Sequence, residues 1–216
     1  MQEIMKIEVT KHDIFVDSMW SFMMPDHEHW KKQLEDIITV EKNKDIHKFS
    51  MENKENKPVQ AHKTPWDSHC RYFAVYEIQN IINKTIKQSI KQDGWEVPLL
   101  NPMDCWINWY EKNQFAHQHI HSCIISAVYF VNIEKSPSKF FFHRDDKFRL
   151  RKENEDSNIK MVTPKEGSVI FFTGYQSHSV SANTDNETRI TMAVNFNGEY
   201  SSEFKPINNP SPFEKL

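Results

Sequence analysis

The feature that most constrains this chain is a change of hydrophobic period about halfway along it. Up to about residue 100 the apolar side chains recur at helical spacing, and from about residue 103 they alternate. After Pro25 and Asp26, the residues Trp30, Leu34, Ile37 and Ile38 fall at i, i+4, i+7 and i+8, one face of an amphipathic helix. Asp26 is placed to cap it, and Glu28 lies in the first turn, where the helix dipole favours an acid. A second helix is expected from about Ser68, because Val75, Ile78, Ile82, Ile86 and Ile90 repeat at three- and four-residue steps. Gly94 follows where a helix C-terminus favours glycine. Residues 41–60 between these segments lose periodicity and become charged, which predicts an exposed connection.

The second half reads as strands at 103–109, 117–131, 139–143, 159–163, 168–172, 178–182 and 188–196, punctuated by Pro164, Gly167 and Gly174. Strands that follow helices, rather than alternating with them, argue for an antiparallel sandwich or barrel with helices packed outside. The 216 residues suit one domain. Within it, residues 1–100 would be a mostly helical covering layer, 101–200 the β core and 201–216 a C-terminal tail.

Composition removes several function classes. Only four glycines are present, so no Gly-rich phosphate loop can be assembled. A net charge of −3 removes the drive for nonspecific nucleic-acid binding. No run of about 18 apolar residues exists to span a membrane, and the first fifteen residues lack a signal-peptide core, so the expected location is cytoplasmic, or host cytoplasm if the source is viral. Cys70, Cys105 and Cys123 are odd in number and unpaired in spacing, and read as reduced, mostly buried thiols.

Three of eleven histidines, His117, His119 and His121, lie within five residues. On an extended strand alternate side chains share a face, so the three would project together and could converge on one cation. His178 opens a later strand, and Arg189 follows eleven positions on. In the Arg189–Phe196 strand Arg189, Thr191, Ala193 and Asn195 share the less apolar face, which suits a pocket for an acidic small molecule. The bland alternative pairs Arg189 with Glu187 or Asp185 at the surface.

His-x-His on one strand, a distal His opening another, and an Arg about ten residues later resemble the 2-oxoglutarate/Fe(II)-dependent oxygenases. The flanking stretches Trp106-Ile-Asn108, Ser126-Ala-Val-Tyr129-Phe-Val and Arg189-Ile-Thr-Met-Ala-Val-Asn195-Phe resemble the small oxygenases of phage genomes and bacteria. KTPWDSH at 63–69 is similar to their Trp-containing loop, and the resemblance covers roughly residues 60–197. It implies a double-stranded β-helix (jelly roll) with the N-terminal helices outside one sheet. It also implies Fe(II), 2-oxoglutarate and O2 as cofactor and cosubstrates, and oxidative decarboxylation of 2-oxoglutarate to succinate and CO2. His119 and His178 match the two ligand histidines, and Arg189 matches the residue that pairs with the distal carboxylate of 2-oxoglutarate. Thr191, Tyr129 and Asn108 are further candidates for holding the cosubstrate.

The chain departs from the family at the third ligand. Most members carry His-x-Asp, whereas His121 stands here. The ligand set His119, His121 and His178 follows from the flanking strands. A His117–His119 pair, or a third ligand among Asp104, Asp145 and Asp146, remains an alternative. The prime substrate is open between a protein side chain, a small metabolite and a nucleobase. The last is suggested by Lys135, Lys139, Arg144, Lys147, Arg149, Arg151 and Lys152, interleaved with Phe140, Phe141, Phe142 and Phe148. Competing readings are a cupin-type dioxygenase without 2-oxoglutarate, disfavoured because no Glu closely follows His-x-His, and a non-catalytic jelly-roll metal-binding protein in which Cys123 could be a fourth ligand.

Overall fold

A computed structural model describes residues 7–14, 17–44, 59–94, 99–135, 139–144 and 158–199. In chain order the strands are β1 (Val9–Ile14), β2 (Asp17–Met23), β3 (His62–Lys63), β4 (Leu99–Tyr110), β5 (Ala116–His119), β6 (Ile125–Asn132), β7 (Phe140–His143), β8 (Ile159–Val162), β9 (Ser168–Thr173), β10 (His178–Val180) and β11 (Arg189–Glu199). The helices are α1 (His27–Lys42), α2 (Ser68–Arg71) and α3 (Phe73–Gln92). They build a seven-stranded sheet ordered β1-β2-β9-β6-β11-β4-β3 and a four-stranded sheet ordered β5-β10-β7-β8. Every strand pair is antiparallel. This is the expected jelly roll.

Two apolar layers follow from the alternation of each strand. On the outer face of the large sheet, Cys105, Ile107, Trp109, Tyr129, Met192 and Phe196 meet the helical stripes Leu34–Ile37–Ile38 and Val75–Ile78–Ile82–Ile86–Ile90 in one cluster. Between the sheets lie Val128, Phe130, Phe140, Phe142, Ile170 and Phe172. The same period-two text therefore feeds both layers, one parity to the helices and the other to the sandwich interior.

Three expectations need correction. Residues 1–100 are not simply a helical cover, because β1 and β2 extend the large sheet, with Met19–Met23 paired to Ser168–Phe172 of β9. Trp20 and Phe22 supply an alternating apolar face there, a signal shorter and weaker than the helical stripes. Asp26 precedes α1 in a left-handed conformation (φ 52°), and its side chain makes no capping bond. Its backbone carbonyl instead accepts from the amides of His29 and Trp30. The strand expected over 117–131 is two strands, β5 and β6, in different sheets. Gly94 does end α3, at φ +81°. The 41–60 connection lies largely outside the described residues, as does the 201–216 tail.

Candidate active site

The break between β5 and β6 builds the site. His119 ends β5 and pairs in register with His178, the first residue of β10. His121 lies in the connector that leads on to β6. That connector is stitched to the turn before β10 through Gly174, whose carbonyl accepts from the His121 amide at 2.8 Å and whose own amide donates to Ile124 O at 3.0 Å. A Cβ on Gly174 would stand 2.2 Å from the Cys123 carbonyl oxygen, so only glycine permits this approach.

One ring nitrogen from each of His119, His121 and His178 lies within 4.8 Å of the others, so the three could hold a metal ion. The other ring nitrogen of each has a carbonyl acceptor. His119 Nδ1 donates to His117 O at 2.6 Å, His178 Nδ1 to Gln176 O at 2.9 Å, and His121 Nδ1 to Asn195 Oδ1 at 2.8 Å. These bonds select the tautomer that leaves each Nε2 lone pair facing the common point, the usual way a ligand imidazole is oriented. Among the described residues His121 Nε2 is buried with no hydrogen-bond partner, as an atom awaiting a cation would be.

Burial lowers the pKa of all three rings. For His121 burial, reinforced by the neighbouring His119, pulls it down to about 4 despite the Asn195 bond. His178 falls well below its ordinary value through burial and then the two facing imidazoles, and His119 falls through burial. The rings are therefore neutral, as ligands must be, at neutral pH. Phe140 stacks on His178 at 5.1 Å between centroids, and Trp106 lies parallel to His121 at 5.9 Å, so apolar rings hold the cluster from two sides.

A cavity of about 520 Å³ opens over His119 and His121, bounded by Trp66, Trp106, Asp104, Asn108 and Asn195. Asn108 Oδ1 accepts from the Trp106 indole at 3.0 Å. Asp104 lines this cavity but stands outside the three-imidazole cluster.

Arg189 is fully buried. One guanidinium nitrogen donates to Ser181 O at 2.7 Å, and the plane lies 4.5 Å over the Tyr110 ring. Its Nε and Nη1 are buried with no hydrogen-bond partner among the described residues. Burial pulls its pKa down, yet a guanidinium remains charged, so the structure holds a desolvated cation with two open donors. That is a fit for an anion. The Glu187 or Asp185 pairing does not form, since Glu187 binds Lys135 at 3.1 Å and Asp185 accepts from the Glu187 amide. Thr191 opposes Asn108 across the β11–β4 pair, is buried, and its hydroxyl hydrogen-bonds Tyr110.

Other sequence candidates are placed elsewhere. Tyr129 faces the helices, in the outer cluster with Met192 and Ile107, and its hydroxyl meets His27 Nδ1 at 2.6 Å. The reason is parity: the connector after His119 breaks the strand, and the alternation of β6 restarts with the opposite phase. His117 is exposed beside Gln60. Cys123 is pushed up to about 12 by burial and stays a thiol, outside the cluster. Cys70 is exposed, against expectation, while Cys105 is buried. Asp145, Asp146 and most of the basic stretch lie outside the described residues. Within it Phe140 and Phe142 are core side chains rather than a stacking surface. Sequence reasoning alone does not single out Asn195 as the partner of His121 or Gly174 as the stitch. Asn195 was nonetheless visible as a polar residue in phase with Arg189.

A jelly roll carrying an imidazole cluster and a buried guanidinium is the arrangement that the resemblance to the 2-oxoglutarate/Fe(II)-dependent oxygenases implies. More specifically, residues 104–195 match the family described as "Putative 2OG-Fe(II) oxygenase". Solved structures agree at the level of fold. A prolyl-4-hydroxylase from Pseudomonas putida is similar at 11% identity, 89% of this chain, 93% of that one and a TM-score of 0.57. The alpha-ketoglutarate-dependent carbocyclase SnoK from nogalamycin biosynthesis is similar at 12% identity, 82% and 79% coverage, and a TM-score of 0.56. HygX from Streptomyces hygroscopicus, with nickel and 2-oxoglutarate bound, is similar at 9% identity, 83% of both chains and a TM-score of 0.51. No curated protein sequence matches significantly. No helix among the described residues is long and apolar enough to cross a membrane.

Proposed function

We propose that this chain is a 2-oxoglutarate-dependent dioxygenase that hydroxylates an organic prime substrate. The observation that carries this reading is the joint presence of three Nδ1-anchored imidazoles and a fully buried guanidinium with two donors unpaired among the described residues. His119, His121 and His178 would hold Fe(II), and Arg189 would bind the distal carboxylate of 2-oxoglutarate. Thr191 and Asn108, opposed on β11 and β4, would line the cosubstrate's path. Bound iron supplies activation of O2, so that R–H, 2-oxoglutarate and O2 become R–OH, succinate and CO2.

The chain's own contribution is orientation and desolvation. The carbonyls of His117 and Gln176 and the amide of Asn195 fix the rings. Trp106, Phe140 and Phe172 keep their surroundings apolar, which strengthens electrostatic contacts and limits side reactions. Three neutral ligands leave the full +2 charge on the ion, whereas a carboxylate triad would leave +1. The 2-oxoglutarate dianion then offsets more charge here than in the common triad, so metal retention should depend strongly on cosubstrate.

The test is anaerobic Fe(II) binding followed by succinate formation under O2. Wild type is expected to hold one Fe(II) more tightly with 2-oxoglutarate present and to make succinate. His178→Ala should lose the iron. Arg189→Ala should keep it with an alternative chelating anion but lose at least about tenfold in apparent 2-oxoglutarate affinity, the scale of one charge-assisted hydrogen bond. Zinc held tightly with no turnover on any supplied iron would overturn the reading.

A further inference from the structure

We propose a second, independent divalent-metal site on the opposite face of the large sheet, formed by His27, Glu28 and Glu166, which clamps the start of α1 to the turn before β9. One ligand atom from each of these residues lies within 4.8 Å of the others. His27 Nε2 stands 3.6 Å from Glu166 Oε1 and 3.9 Å from a Glu28 oxygen, separations that ligands around one small cation adopt. The set of one imidazole and two carboxylates suits Zn²⁺ or a similar first-row ion, with water completing the shell.

Two of the three ligands are held by their other atoms, as in a built site. The His27 ring is anchored through Nδ1 on the Tyr129 hydroxyl at 2.6 Å. Burial pushes the Tyr129 phenol up, so it stays protonated and neutral. His27 Nε2 is buried without a hydrogen-bond partner among the described residues. Glu166 is locked by Oε2, which accepts from the amides of Ile133 and Glu134 at 2.8 and 2.7 Å, and this leaves Oε1 turned toward His27. Gly167, at φ +81°, leaves room for the His27 ring: a Cβ there would come within 3.1 Å of it.

Lys31 is the competitor. Its ammonium sits 2.5 Å from Glu166 Oε1, the oxygen the metal would take. The cation must therefore displace it, and removing Lys31 should tighten metal binding rather than loosen it.

Calorimetric titration of ZnCl2 into the chelator-stripped full chain tests this. Wild type should bind one equivalent more than His27→Ala, whatever the three-imidazole centre does. Glu28 is 86% exposed, so Glu28→Gln leaves the buried core untouched and should weaken that equivalent by about tenfold or more, while Lys31→Met should strengthen it. Equal stoichiometry and affinity in wild type, His27→Ala and Glu28→Gln would overturn the site, as would weaker zinc binding in Lys31→Met. Because the readout is the difference made by His27, it stands or falls separately from succinate formation.

Discussion

At the scale of single residues, the candidate centre depends on what lies behind each imidazole. Asn195 illustrates this. Its Oδ1 accepts from both His121 Nδ1 at 2.8 Å and Ser126 Oγ at 3.1 Å, so it is itself oriented before it orients the ring. Asn195→Ala would free the His121 ring to rotate or change tautomer. Fe(II) affinity in the presence of 2-oxoglutarate is expected to fall about 10- to 100-fold, the usual effect of losing such a partner. Asn195→Asp, which keeps the acceptor, should recover most of it. A purely structural role would give a loss of thermal stability with unchanged affinity, and the two are measured together. His119 and His178 borrow backbone carbonyls, which no side-chain substitution removes.

At the scale of elements, α1 is tied to the sheet by more than its apolar stripe. Lys31 of α1 meets Glu166 before β9, and Glu166 also caps two amides after β6. Burial alone would raise the Glu166 pKa, but Lys31 and the Ile133 and Glu134 amides outweigh it and hold the carboxyl below its ordinary value. A carboxyl lowered in the folded state stabilises above its unfolded pKa, near 4.3, and loses that contribution as pH falls through the folded value. Glu166→Gln in metal-free protein should therefore be less stable by about 1–3 kcal/mol near pH 7. In urea unfolding the gap to wild type should narrow below about pH 4.3; a gap independent of pH would contradict the linkage.

At the scale of the whole molecule, the described residues between 7 and 44 are structural parts of the large sheet and its cover. Trp20, Phe22, Met24, Leu34, Ile37 and Ile38 belong to the same buried cluster as Ile107, Met192 and Phe196. From sequence, a chain starting near residue 60 is expected to lose solubility more than chemistry. The structure implies more: deletion exposes the β9 edge and the outer face of β6, β9 and β11. Each large apolar side chain so exposed forfeits about 1.5–3 kcal/mol, against a total stability of about 5–15 kcal/mol for a domain. Such a truncation is expected to show no cooperative thermal transition by circular dichroism and no succinate formation.

How much was legible beforehand follows from the range over which each signal acts. The helical stripes of α1 and α3, the strand text of β4, β6, β9 and β11, and the phase shared by Arg189, Thr191 and Asn195 are local, because side-chain direction along one element is set by backbone period. The short strands β1 and β2 carried too few alternations to stand out, and Tyr129 was misplaced because one irregular connector reverses the parity of everything after it. What the amino-acid order determined by itself was the inventory: a β core, a helical cover and a set of histidines with an arginine in phase. Which imidazoles meet, which face Tyr129 takes, and that His27 lies against Glu166 depended on chain segments brought together across dozens of residues. Packing and the satisfaction of buried polar groups decide such contacts, and neither acts until the two sheets have closed on one another.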